Sequence, residues 1–111
     1  MGVYDTATKL ASEIKNSNEY KSFKKNMKVL KSDKESEVLL RDYKLYQIEL
    51  QNSTMKNKKL DKKSIKKAEE LQKKVVNNKK LYNYLNSEQK FTQMMNNINK
   101  ILADAVEQDY D

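Results

Sequence analysis

Residues 81–106, LYNYLNSEQKFTQMMNNINKILADAV, decide the fold. Within them Tyr84, Glu88, Phe91, Met95, Ile98, Leu102 and Ala105 follow one another at alternating steps of four and three. That spacing is a heptad seam, the stripe a helix presents when it packs almost parallel to another helix. Met94, Ile101 and Val106 widen the stripe into a face that can meet more than one neighbour. Glu88 is the one carboxylate in the seam, and neither Gly nor Pro interrupts the segment. A polar residue at such a position can fix the register of helix pairing. The alternatives are a helix tilted enough to keep Glu88 wet or, least favoured, a metal ligand.

Composition supports a helical reading. The 111 residues contain no Pro and one Gly, Gly2, which does not suit a turn-rich β fold. Charged residues make up 35% and apolar ones 37%, so the core must be thin and drawn out along amphipathic helices. A chain this small leaves much of its surface exposed, and self-association is a common remedy. No apolar run approaches the length of a membrane span or a signal-peptide core. The opening Met1-Gly2-Val3-Tyr4-Asp5-Thr6 matches a loose myristoylation pattern. The preferred reading is that Asp5 or Thr6 caps the first helix and Gly2 is incidental.

Taken in order, residues 1–31 read as two short helices, with Ala7, Leu10, Ala11 and Ile14 on one face of the first and Tyr20, Phe23, Met27 and Leu30 on one face of the second. Asn16 with Glu19, and Ser32 with Glu35, stand at capping-box spacing and mark the joints. Residues 32–59 form a long helix whose main stripe is Leu39, Tyr43, Tyr46 and Leu50. Val38, Leu45 and Ile48 lie to one side and suggest a second, partial contact. Residues 60–77 form a basic helix capped by Asp61 or Ser64, with Ile65, Ala68, Leu71 and Val75 facing one way. Asn77-Asn78 breaks it from the C-terminal helix at 78–107, and 108–111 is an acidic tail. The expectation is a single all-α domain, an elongated bundle of about five helices with two long ones, associating with copies of itself. Its interface and core residues are Leu39, Tyr43, Tyr46, Leu50, Tyr84, Glu88, Phe91, Met95, Ile98 and Leu102.

Catalysis finds little support. The chain has no His and no Cys, removing the commonest general base, the thiol nucleophile and thiolate metal sites. The adjacent Glu69 and Glu70 point about 100° apart instead of converging on one bond. No Gly-rich phosphate loop or calcium loop is present. The expectation is a protein that is not an enzyme and holds no cofactor.

Charge is the more informative signal. The net charge is +7, yet residues 56–80 alone hold eleven Lys against Asp61, Glu69 and Glu70, leaving the remainder slightly acidic. On the basic helix Lys62, Lys63, Lys66, Lys67, Lys73 and Lys74 fall opposite the apolar side. Such a stripe could follow a nucleic-acid backbone by sequence-independent, salt-sensitive contacts. Single-strand binders also stack bases on exposed aromatics, and Tyr82 is the one aromatic free of the core stripes beside these lysines. A solvated charged face is the preferred reading. Docking to an acidic protein surface, including the acidic tail of another copy, is a third.

Several weak positions also occur in a telling order: Val3-Tyr4-Asp5, Ser17-Asn18-Glu19-Tyr20, Phe23, Asp33, Leu40, Gln47-Ile48-Glu49-Leu50-Gln51, Asn78, Tyr84-Leu85, Glu88-Gln89 and Ile98-Asn99-Lys100-Ile101. Across nearly the whole chain this resembles the YlbF/YmcA family of small bacterial helical proteins, most closely its YheA-like branch. The resemblance implies an all-α fold, homo- or hetero-oligomers and a cytoplasmic setting. It also implies partners among other family members or RNA-processing proteins, since related branches act as non-catalytic partners in a complex influencing ribonuclease Y. Some relatives bind iron–sulfur clusters through cysteines, and this chain has none to do so. The functional expectation is a non-enzymatic interaction or regulatory adaptor, with direct RNA or DNA binding through the lysine-rich helix as the alternative.

Overall fold

A computed structural model describes residues 2–56 and 61–107. It contains five helices and, among the described residues, no strand: α1 (Val3–Lys15), α2 (Asn18–Lys31), α3 (Lys34–Met55), α4 (Lys62–Asn77) and α5 (Lys79–Glu107). The fold is all-α. The expected tail at 108–111, the last residues of the expected helix at 32–59 and the first of that at 60–77 lie outside the described residues. None of the described helices is long and apolar enough to cross a membrane.

The joints form as breaks in helical pattern require, with different residues doing the capping than the capping-box spacing suggests. Asn16 stays helical at φ −89°, ψ −4° and closes α1, so it lacks the extended backbone an N-cap needs. Ser17 takes over. Its hydroxyl donates to the Ile14 carbonyl at 2.6 Å and accepts from the Tyr20 N–H at 3.2 Å, closing one helix and opening the next. At the second joint Ser32 donates back to the Val29 carbonyl at 2.6 Å, and Asp33, extended at φ −121°, ψ 104°, is the N-cap of α3. At the start of α1 the cap position is Gly2, and the Thr6 hydroxyl donates back to the Gly2 carbonyl at 3.2 Å. Neither Asp5 nor Thr6 is therefore the N-cap, because both already sit inside the helix.

The chain forms two compact units, Met1–Asn26 with Leu85–Asp111, and Met27–Tyr84. In the first, α1 buries no residue fully; Leu10 and Ile14 are half-buried. The centre of this unit is aromatic. Phe91 stacks on Phe23 at 5.2 Å between ring centres with planes 5° apart, and meets the edge of Tyr20 at 5.7 Å and 61°. Offset and edge contacts of this kind add about 0.5–1.5 kcal/mol each beyond the area they bury. Met94, Met95 and Ile98 are half-buried along the same stretch of α5. Past Ile98 the apolar positions are open to solvent, with Ile101 69% exposed and Leu102 and Val106 also exposed.

In the second unit α3 and α4 pack antiparallel. Ser36, near the start of α3, meets Asn78 just beyond α4, whereas Tyr46 in mid-α3 meets Ser64 in the first turn of α4. Leu30, Tyr46, Val75, Leu81 and Tyr84 are its buried apolar residues, with Leu39, Tyr43, Leu50, Ala68 and Leu71 half-buried around them. A fully buried Leu contributes about 1.5–3 kcal/mol over an exposed one, so Leu30 and Leu81 matter out of proportion to their number.

Because Phe91 takes part in both of these ring contacts, truncating it should be felt. Phe91→Ala should lower unfolding free energy by about 2 kcal/mol, below the usual range for a buried Phe because the ring is half-exposed. Phe91→Leu should cost less than half of that. Urea titration followed by circular dichroism checks both, and equal losses would remove the ring stacking from the account.

Candidate functional site

The strongest charged surface is α4. Asp61 starts it: extended at φ −79°, ψ 170°, it accepts the Ser64 N–H through Oδ1 at 2.8 Å. Of the two candidate caps, Asp61 is the one used. That bond, with the Ser64 hydroxyl behind it, lowers the Asp61 carboxyl below its ordinary value. The Tyr46 hydroxyl donates to the Ser64 carbonyl at 3.2 Å and ties the same turn to α3. Helix rotation of about 100° per residue then sets the direction of every lysine that follows.

All six lysines of the expected basic face are exposed, but they divide into two rows. Lys62, Lys66 and Lys73 share one rotational position, and Lys63, Lys67 and Lys74 lie about 100° further round. The second row meets acids. Lys67 and Lys74 line an open groove of about 410 Å³ with Asp42 and Glu49 of α3 and Glu70 of α4. Toward the end of α4, Lys73 and Lys74 share a second groove, about 710 Å³, with Asp33, Glu35 and Asp42. The acids thus lie along the second row and, at the end of α4, beside Lys73 of the first row as well. Tyr82 is exposed just past it, on α5.

That second groove is bounded by a polar cluster the sequence reading did not find. Ser36 is fully buried, at 0% exposure. Its hydroxyl donates to Asp33 Oδ2 at 2.7 Å and accepts from Asn78 Nδ2 at 2.9 Å. Asn78, extended at φ −98°, ψ 100°, accepts the Leu81 N–H through Oδ1 at 3.0 Å and so caps α5. Lys80 Nζ stands 3.7 Å from Asp33 Oδ2. The Ser36 hydroxyl first, and the Lys80 ammonium after it, hold the Asp33 carboxyl below the ordinary carboxylate value. A signal was present: the α3 stripe extended back three residues from Leu39 lands on Ser36. A polar residue there does not register as a stripe position.

The expected interface and core residues separate by unit. Leu39, Tyr43 and Leu50 are half-buried and Tyr46 buried on α3, with Tyr43, Tyr46 and Leu50 bordering a groove of about 530 Å³ against Ala68 and Leu71. On α5 Tyr84 is buried, Glu88, Phe91, Met95 and Ile98 are half-buried, and Leu102 is exposed. The first unit has its own groove of about 680 Å³ between Glu19 and the Asn86–Ile101 stretch of α5, with Met94 and Ile98 in its wall. No cluster of three or more acidic, His or Cys side chains able to hold a metal occurs among the described residues.

Comparison with known proteins gives a consistent result. The family described as "Control of competence regulator ComK, YlbF/YmcA" matches residues 3–107. UPF0342 proteins of Lacticaseibacillus casei and Lacticaseibacillus paracasei are each 31% identical over 104 residues, covering 94% of this chain and 91% of theirs. A solved protein of unknown function (DUF964) from Bacillus stearothermophilus shares the fold with a TM-score of 0.75 at 17% identity, covering 95% of this chain and 92% of that one.

The polar cluster makes two measurable statements. Asn78→Ala removes both the α5 cap and a partner of buried Ser36, and should cost about 1–3 kcal/mol in chemical denaturation. Asp33, whose carboxyl titrates lower folded than unfolded, contributes stability that is complete above the unfolded value of about 3.9. That contribution disappears as pH falls through the folded value. The stability gap between the parent and Asp33→Asn should therefore be steady near neutrality and close below about pH 4. A gap that stayed constant down to pH 2 would show that the charge of Asp33 plays no part.

Proposed function

The chain belongs to the YlbF/YmcA family, and on that premise we propose that it is a non-enzymatic regulatory adaptor working through protein contacts. The family's description, control of the competence regulator ComK, names the kind of regulatory setting in which it acts. A cytoplasmic location, homo-oligomers, and a link to RNA processing through other family members belong to the same reading. So does the role of the α3 and α5 stripes as packing and assembly surfaces.

The observation that carries the reading is the state of α5 beyond Ile98. Its apolar positions continue there, and Ile101, Leu102 and Val106 stand exposed on consecutive turns. Apolar side chains gathered on one stretch of helix suit protein recognition better than contact with a phosphate backbone.

Direct nucleic-acid binding is the second reading, and the exposed row Lys62, Lys66 and Lys73 favours it. Against it stands the other row, where Asp42, Glu49 and Glu70 share a groove with Lys67 and Lys74. Acids beside lysines reduce the counterion release that drives backbone binding.

Affinity capture from a bacterial lysate, with and without nuclease, separates the two. An adaptor should retain discrete protein partners after nuclease treatment and at salt that strips nucleic acid. Partners lost on nuclease treatment, together with bound RNA that Lys62, Lys66 and Lys73→Glu abolish, would replace the adaptor reading with the second one.

A further inference from the structure

The lysine row Lys62, Lys66 and Lys73 has an apolar border. Tyr43, Leu50, Ala68 and Leu71 line the open groove of about 530 Å³ between α3 and α4, and Glu69 and Gln72 line it too. Rotation of about 100° per residue places Ile65 and Val76 between Gln72 and Glu69, on the groove side of α4. Both are open to solvent, Ile65 46% and Val76 53% exposed. They stand about 16 Å apart along the helix, at 1.5 Å of rise per residue. The next 60° or so of rotation past Glu69 brings Lys62, Lys73 and Lys66 in turn. One side of the second unit thus runs from an apolar groove, across two open aliphatic side chains, to three exposed lysines.

The order of residue types across this side points to its partner. A phosphate backbone engages the lysines and offers nothing to Ile65 and Val76. A lipid surface engages both. Its acyl boundary takes the aliphatic side chains, and its anionic headgroups take the ammonium groups. Lysines at the flank of an apolar strip suit that geometry, because the four-carbon stem lies along apolar surface while the charged end reaches outward. None of the described helices is long and apolar enough to cross a membrane, so such contact is peripheral.

We propose that the strip centred on Ile65 and Val76, with the lysine row beside it, docks the second unit on an anionic lipid surface. Charge complementarity supplies the attraction, since residues 56–80 hold eleven Lys against three acids. Two features oppose it. Glu69 lies inside the strip, and Lys73 shares its other groove with Asp33, Glu35 and Asp42. Lys62 and Lys66 therefore carry most of the attraction, and Glu69 weakens it. This strip belongs to the second unit, whereas the exposed end of α5 behind the adaptor reading belongs to the first. Either holds without the other.

Co-sedimentation with lipid vesicles tests this. The full chain should pellet with vesicles of phosphatidylcholine and phosphatidylglycerol, and stay in solution with phosphatidylcholine alone. Each lysine near an anionic surface contributes roughly a fivefold factor, so Lys62→Gln with Lys66→Gln should weaken binding roughly 25-fold. Glu69→Gln should strengthen it. Ile65→Ser with Val76→Ser should weaken vesicle binding several-fold and leave any retention of single-stranded oligouridylate unchanged. The chain contains no Trp, so Val76→Trp supplies a clean reporter whose emission should shift to the blue on anionic vesicles. A parent that stays in solution with the anionic vesicles overturns the proposal. So does a serine pair that binds them as tightly as the parent, or an unshifted Val76→Trp emission on bound vesicles. Retention of oligouridylate but not of vesicles assigns the row to nucleic acid and overturns it too. The Val76→Trp arm alters one exposed position and holds even if the serine pair does not fold.

Discussion

The second unit depends on one buried hydrogen-bonded serine. Ser36 has no exposed surface, and a hydroxyl in that position is costly unless both its donor and acceptor capacities are used. They are used, by Asp33 and by Asn78. Asn78 also caps α5, so the same side chain that satisfies the buried hydroxyl sets where the longest helix begins. Three chain segments meet there: the start of α3, the end of α4 and the start of α5. Leu81, fully buried one turn into α5, takes its place beside this cluster. Apolar packing supplies most of the free energy in such a unit, but it is tolerant of small shifts in register. The polar link is not, because a hydrogen bond fails over about an ångström of displacement.

The first unit is held differently. Its centre is a set of rings, Tyr20, Phe23 and Phe91, and α1 contributes only half-buried side chains. A chain with 37% apolar residues has little to spend on two cores, and here the aromatic rings concentrate what it has. The exposed turns of α5 beyond Ile98 show where that supply is no longer committed to the interior. An apolar helix end left open in this way is surface available for another protein, which is the physical content of the adaptor reading.

Much of this was legible in the sequence, for specific reasons. The helices and their breaks follow from periodicity and from Asn, Ser and Asp at the joints, since those features act within a few residues of one another. The rotational position of the six lysines was legible for the same reason. Their surroundings were not. Whether Lys67 and Lys74 face water or acids depends on Asp42 and Glu49, about 25 residues earlier, and so on how α3 lies against α4. Ser36 was missed because stripe-finding counts apolar residues, and a serine can occupy a core position only if partners from elsewhere in the chain satisfy it. The caps at Ser17 and Asp33 went to neighbours of the residues that spacing favoured, because capping is decided by backbone conformation at a single residue.

The Ser36–Asn78 bond joins residues 42 apart, whereas helix turns and capping bonds join residues three or four apart. Closing so long a loop costs chain entropy that only the completed contact repays. The local helices form in microseconds or less, and no proline is present to impose slow isomerisation. The Ser36–Asn78 contact therefore follows the helix turns it joins, and late contacts of this kind act on how fast a unit unfolds more than on how fast it folds.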